Sequence, residues 1–404
     1  MKSIYMDHHA TTPLDPEVLA AMMPYLTEEF GNPSSSTHEW GRRARKAVEA
    51  GRAQIAESIG AEPDEIIFTS GATESDNLAV KGVALSAAGP KGRIITQATE
   101  HKAILDTVRY LEKVGYEIYY VKLDSYGLID LEDLERNITP QTFLITIQAA
   151  NSEIGTIQPI AQVGACAKAH GVLFHTDAVQ AIGKMPINVN SDQIDLLSLS
   201  AHKIYGPKGV GALYVRKGVK LAPLIHGGGH ERGMRSGTLN VAGIVGLGKA
   251  AEMAHRERDQ ETRRLLKLRE RLANGIRAKI DQVQLNGHPQ QRLANNLNFS
   301  FAYVEGESLI LACREVALSS GSACTSSSLQ SSYVLRAIGV PDSLAHCSIR
   351  FGLGKSNNEE QVDFLVDLLA TNVRRLREMS PLYDMAREGI DIENFSWSKH
   401  DHEH

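Results

Sequence analysis

Cysteine is scarce in this chain: Cys166, Cys313, Cys324 and Cys347 are the four among 404 residues. No two form a Cys-x-x-Cys pair, so neither a disulfide framework nor a structural zinc site is indicated. The scarcity fits a reducing cytosol, where each thiol is open to packing or chemistry, and the expected location is cytoplasmic. No run of 18 or more apolar residues occurs, which argues against a membrane span. The start, Met1 to Asp7, has no apolar signal core. A dominant charge is also missing. The 43 Lys+Arg and 48 Asp+Glu leave a net charge of −5, which gives no reason to expect nucleic acid as a partner. What remains is ordinary globular composition, 42% hydrophobic and 23% charged. The length exceeds what one core supports, so two domains are expected.

Short apolar runs alternate with helical patterns. Strands are expected at Ile66–Phe68, Arg93–Thr96, Glu117–Val121, Phe143–Ile147, Val172–His175, Ile194–Leu199 and Ala212–Val215. Each is brief, β-branched or aromatic, and bounded by Gly, Pro, Ser or Asp. Helical stretches such as Ser75–Ser86, His101–Val114 and Ile160–His170 lie between them. This alternation predicts an α/β fold with a largely parallel sheet covered on both faces. From Ala251 to Ile280 runs one long charged helix able to bridge two lobes. A smaller α/β section follows, with a strand at Asn296–Phe301 and a helix at Asn358–Met379. Ser319 to Ser332 holds eight serines in fourteen residues and reads as a mobile loop. The tail His400 to His404 is polar and suited only to adventitious metal.

In open α/β sheets, ligands bind beyond the carboxyl ends of the strands. After Ile66–Phe68 comes Thr69-Ser70-Gly71-Ala72-Thr73-Glu74-Ser75 and then a helix. A small, hydroxyl-rich turn opening a helix offers donors to a phosphate. It also serves as a plain helix cap, the commoner use, and it is not a P-loop. Asp177 ends another strand, where a cap, a metal ligand and a cofactor partner are all open. Lys203 follows Ser200-Ala201-His202 and precedes the loop Gly206-Pro207-Lys208-Gly209. A lysine so placed is poorly explained as a solvated charge and suits an amine nucleophile. A phosphate cradle, an acid and a lysine at neighbouring sheet edges are what pyridoxal phosphate requires: the lysine forms the Schiff base and the acid keeps the ring nitrogen protonated. His101, at a helix start, is placed to stack on a ring or move protons. Cys324 lies in a polar loop, unlike the usual buried thiol, and suits a travelling nucleophile. Cys166 and Cys313 sit in apolar helical contexts and read as core, while Cys347 is ambiguous. Arg350 is a candidate fork for a carboxylate, or a surface ion pair.

Ordered blocks along nearly the whole chain then show a resemblance. They include Asp7-His8-His9-Ala10-Thr11-Thr12-Pro13, Thr69 to Asn77, Asn151-Ser152-Glu153-Ile154-Gly155, His175 to Gln180, His202 to Gly209, His226 to Thr238 and Ser319 to Thr325. With these the sequence closely resembles the pyridoxal-phosphate cysteine desulfurases of the IscS/NifS group, in the class V aminotransferase-like family. The resemblance implies the aspartate aminotransferase-like fold type I, with a mainly parallel seven-stranded sheet in a large domain (15–258). A small domain (1–14 with 259–404) carries the Cys324 loop.

It also implies residue roles. Lys203 matches the Schiff-base lysine, His101 the acid–base histidine, Asp177 the ring-nitrogen partner and Gln180 the donor to the ring's phenolic oxygen. Ala72, Thr73, Ser200, Ala201 and His202 match cofactor-binding positions, and Asn151 a cofactor and substrate contact. Thr238 matches a residue reaching the phosphate from the other subunit of a homodimer. Arg350 matches the substrate-carboxylate arginine and Cys324 the persulfide-forming cysteine. Implied partners are L-cysteine, an IscU-like iron–sulfur scaffold and tRNA-thiolation carriers. Cys324 is the one candidate metal ligand, through a persulfide to a cluster shared with the scaffold, a point left open. Two rivals stand beside this reading: another pyridoxal enzyme, such as an aminotransferase or selenocysteine lyase, and a non-catalytic sulfur carrier.

Overall fold

The computed structural model describes residues 3–86, 91–320 and 331–388. Ile4–Tyr5 (β1) precedes helices Pro16–Thr27 (α1) and Glu39–Ile59 (α2). Strands and helices then alternate: Ile66–Thr69 (β2), Ala72–Ser86 (α3), Arg93–Gln97 (β3), Lys102–Lys113 (α4), Glu117–Val121 (β4), Leu131–Arg136 (α5), Thr142–Thr146 (β5), Ile160–Ala169 (α6), Leu173–Asp177 (β6), Leu196–Ser200 (β7) and Gly211–Val215 (β8). Strands β2 to β8 form one sheet in the order β2-β8-β7-β6-β5-β3-β4. All run parallel except β8, which is antiparallel to both neighbours. Each strand coincides with an apolar run marked in the sequence, and β2, β7 and β8 are buried at every position. Burial on both faces is why these runs lack polar alternation.

Alternate residues feed two cores. Ile66, Phe68, Leu197 and Tyr214 pack on one face against α2 and α6. Ile67, Leu144, Leu196 and Leu213 pack on the other against Val83 and Ile104 of α3 and α4. Val241–Lys279 (α7) joins this body to a third core: Ile244, Leu247 and Met253 lie in the first cluster, and Leu265, Leu272 and Ile276 in the third. The helix begins at Val241, not at Ala251 as its charge pattern suggested. Gly243, Gly246 and Gly248 hide its first turns from propensity rules. They are there for close packing: a Cβ on Gly248 would stand 2.6 Å from the Gly51 Cα of α2, and one on Gly246 would stand 2.6 Å from the Met22 sulfur.

The third core gathers Val283–Leu285 (β9), Asn296–Phe301 (β10), Gly306–Ala312 (α8), Val316–Ala317 (β11), Ser348–Gly352 (β12) and Glu359–Glu378 (α11). To keep chain numbering, the short helices Tyr333–Ala337, Asp342–Ala345 and Pro381–Arg387 are α9, α10 and α12. β9, β10 and β12 form an antiparallel sheet, and β1 pairs in parallel with β11. Among the described residues no helix is long and apolar enough to cross a membrane. Residues 321–330, with Cys324, and the His-rich tail lie outside the described residues.

Candidate active site

A cavity of about 660 Å³ opens at the carboxyl ends of β6 and β7. Nine of the expected residues line it: Ala72, Thr73, His101, Asp177, Gln180, Ser200, His202, Lys203 and Arg350. They come from α3, α4, β6, β7 and β12, far apart in sequence.

The turn between β2 and α3 is tied by its own side chains. Thr69 Oγ1 lies 2.8 Å from Ser75 Oγ, and the Ser70 N–H donates to Glu74 Oε2 at 2.7 Å. The Gly71 N–H points to Thr69 Oγ1 at 3.4 Å. Among the described residues no acceptor is found for the N–H groups of Ala72, Thr73 or Glu74. Unmet donors at a helix start, facing a cavity, suit an anion. Gly71 (φ 152°) has no atom within 4 Å of where a Cβ would stand, so the approach is open. His202, with Nδ1 3.1 Å from Thr11 Oγ1, is pushed down to about 4 by burial, so it contributes a neutral ring.

Lys203 ends a 3₁₀ turn after β7. Its Nζ donates to the carbonyls of His9 and Ala10, both at 2.7 Å. The His9 carbonyl also takes the Gln180 amide at 3.1 Å, and His9 Nδ1 lies 2.9 Å from Gln180 Oε1. Asp177 closes β6 and accepts from the Val179 N–H at 3.0 Å. Burial raises its carboxyl, while His101 and Lys203 pull it back down. Beneath it sits Asp76, fully buried, whose carboxyl is driven well above the usual range by burial and by the charge of Asp177. His175 of β6, neutral because burial pushes it down to about 3, stands beside Asp76: Nε2 is 3.8 Å from Asp76 Oδ1, and Nδ1 is 2.8 Å from Thr146 Oγ1. Two carboxyls this close do not both ionise readily. Asp76, the more strongly shifted of the two, is driven toward its protonated form, while the charge of Lys203 favours the Asp177 carboxylate. His101 caps α4 by accepting the Ala103 N–H at Nδ1 (3.1 Å), which leaves Nε2 as the nitrogen that faces away from the helix start and is open to exchange a proton.

Arg350 is already partnered. Nη2 reaches Asp7 Oδ1 (2.9 Å) and Ser319 Oγ (2.8 Å), and Nη1 reaches the Ser152 carbonyl at 3.2 Å. Its Nε is buried and has no hydrogen-bond partner among the described residues. A substrate carboxylate therefore meets a guanidinium held in place with donor capacity to spare.

Glu100 and Glu153 stand behind the wall. Burial pushes Glu100 up to about 8 and Glu153 up to about 7. Between the ordinary carboxyl value and 7, the folded chain keeps a proton on Glu153 that the unfolded chain gives up, so stability falls as pH rises through that window. Glu153→Gln is expected to flatten the drop in denaturant midpoint between about pH 5 and pH 8. Equal drops in parent and variant would mean that Glu153 is ionised in the fold.

Three expected residues do not line the cavity. Asn151 is buried and spent on structure, accepting from the Glu153 and Ile154 N–H groups and donating to the Thr99 carbonyl. Ala201 is buried in the 3₁₀ turn, and Thr238 is exposed. Cys324 lies outside the described residues. Cys313 is buried in the third core, Cys166 packs at the edge of the first, and Cys347 is buried with its thiol donating to the Ser343 carbonyl. Asp7, His9, Glu74, Asp76 and Ser319 were not singled out as site residues. All five fall inside the blocks that carry the family resemblance, but nothing local tells that Asp7, His9 and Ser319 meet Lys203 and Arg350, or that Glu74 and Asp76 stand beside the cavity.

The aminotransferase class V family model matches residues 4–365. A cysteine desulfurase IscS of Anaeromyxobacter dehalogenans (strain 2CP-C) is 53% identical over 397 residues, 98% of each chain. A protein of the same name from Rickettsia felis is 53% identical over 399 residues, covering 98% of this chain and 97% of its own. A solved NifS-like protein superposes with a TM-score of 0.86 at 40% identity, over 92% of this chain and all of its own. The chain belongs to the class V aminotransferase family, on its IscS/NifS cysteine desulfurase branch.

Proposed function

We propose that this protein is a cysteine desulfurase, converting L-cysteine to L-alanine and passing the sulfur to acceptor proteins. The observation that carries the reading is the meeting of Lys203, Asp177 and the α3 turn in one cavity, with Arg350 on its wall. A solved relative, SspA, 39% identical with a TM-score of 0.78 over 87% of this chain and 99% of its own, is described in complex with cysteine.

Pyridoxal phosphate is the family's cofactor. The residues present fit it: unmet N–H donors for its phosphate, Ser200 and His202 beside them, Asp177 for its ring nitrogen and Lys203 for its aldehyde. When bound, it supplies an electron sink for bonds at the substrate Cα. The chain does the rest. Arg350 orients the substrate carboxylate. The Lys203 amine moves the proton at the substrate Cα, and His101 Nε2 is placed to move one at a sulfhydryl. Cys324 takes the sulfur: cysteine and the Cys324 thiol become alanine and a Cys324 persulfide, which conserves atoms and electrons.

Residues 15–258 act as a cofactor-binding domain, and 1–14 with 259–404 as a small domain. The protein works in the cytoplasm as a homodimer in which Thr238 serves the partner's phosphate. Acceptors are an iron–sulfur scaffold and tRNA-thiolation carriers, and Cys324 is the candidate cluster ligand.

Cys324→Ala is expected to keep the visible absorbance of lysine-bound cofactor. It should lose protein-bound persulfide, with alanine formation down by about 100-fold or more. Unchanged sulfur transfer would remove Cys324 from the reaction. A keto acid in place of alanine would favour an aminotransferase.

A further inference from the structure

A carboxylate stands in the wall where a phosphate is expected to bind. Glu74 lines the cavity as the third residue of α3, beside the unmet N–H groups of Ala72 and Thr73. Its Oε2 takes the Ser70 N–H at 2.7 Å, which folds the side chain back over the turn. A negative charge suits a helix start on its own, but a phosphate dianion at the same donors would meet it as a like charge. Arg235 answers this: its Nε lies 2.8 Å from Glu74 Oε1, and both side chains are four-fifths buried or more. The pairing holds the Glu74 carboxyl below its ordinary range despite desolvation.

We propose that Glu74 and Arg235 are a charge-balanced positioning pair for the phosphate-binding turn. Glu74 fixes the turn by holding the Ser70 N–H, so that the next N–H groups face outward. Arg235 cancels the carboxylate's charge so that the turn still accepts a phosphate. The pair acts this way only where the cavity holds pyridoxal phosphate, as proposed above. Arg235 lies three residues before Thr238, so the same contact anchors the segment from which Thr238 projects.

The test is titration of cofactor-free protein with pyridoxal phosphate and, separately, with pyridoxal, which lacks the phosphate, read by absorbance. Arg235→Gln leaves the carboxylate uncompensated and is expected to weaken pyridoxal phosphate by roughly tenfold or more, and pyridoxal by less than about twofold. Glu74→Gln keeps an acceptor for the Ser70 N–H and removes the charge. It is expected to bind pyridoxal phosphate at least as well as the parent. The double variant is expected to return to within about threefold of the parent. Unchanged binding by Arg235→Gln would overturn the proposal. So would equal losses for both probes, or a double variant as weak as Arg235→Gln. A parent that binds neither probe would instead sink the reading of the cavity itself.

Discussion

Lys203→Ala is expected to abolish the visible absorbance of bound cofactor and to cut alanine formation by about 10³-fold or more. Three amines are near enough to compete for the role. Lys208 lines the cavity but is exposed, in the loop after the 3₁₀ turn. Lys184 is chemically tempting, because burial and the charge of Lys203 push it down to about 7. Its Nζ, however, points to Gln180 Oε1 at 3.2 Å, and the residue lines the small cavity behind Lys203. Lys203 alone among them enters the main cavity on a short turn fixed to a buried strand, its amine set by two backbone carbonyls. Lys203→Arg keeps the charge and loses the nucleophile, so it should fail as completely as alanine. Lys184→Met should keep the absorbance. Absorption spectra of the three purified variants decide the matter. Absorbance kept by Lys203→Ala and lost by Lys184→Met would move the covalent site to Lys184.

The large sheet was legible because its strands are buried on both faces. Runs such as Leu196–Ser200 announce themselves by apolar content and by the punctuation around them. Residues at strand ends could be picked out for the same reason: once β6 and β7 were placed, Asp177 and Lys203 followed. What stayed hidden depends on contacts across hundreds of positions. Asp7 precedes every helix, yet its carboxylate holds Arg350 343 residues later. Asp76 looks like one more polar residue near a helix start. Only burial of that face of α3 against β6 and β7 turns it into a carboxyl driven well above its usual range beside Asp177. Glycine misled in α7, where the residue that weakens a helix in isolation is the one that lets two helices touch.

Glu231→Ala is expected to cost about 3–5 kcal/mol of stability. Glu231 lies in the Gly-rich segment 226–238, which carries Arg235 and Thr238. It adopts φ 48°, followed by Arg232 at φ 55°, a left-handed pair costing roughly 1–2 kcal/mol per residue. A buried fork holds this strained backbone. Arg52 Nη2 meets Glu231 Oε1 at 2.8 Å, Nη1 meets Oε2 at 3.0 Å, and the Phe68 N–H of β2 donates to Oε2 at 2.8 Å. Arg52 also donates to the Ile66 carbonyl at 2.6 Å and lies over the Phe68 ring at 4.6 Å. Removing the acid takes the buried counter-charge from the Arg52 guanidinium, leaving it the exposed Glu49 carboxylate and the Ile66 carbonyl, and strips the Phe68 N–H of its acceptor, so that Arg232 Nη2 on the Ile66 carbonyl (3.1 Å) is the segment's remaining hold on β2 among the described side chains. Arg52→Met with Glu231→Leu removes both charges. It is expected to recover a large part of the loss, because replacing a buried pair by apolar groups costs far less than breaking it. Denaturant midpoints of parent, single and double variants read both effects. A loss under about 1 kcal/mol for Glu231→Ala, or a double variant no better than the single, would mean that the fork does not hold this segment.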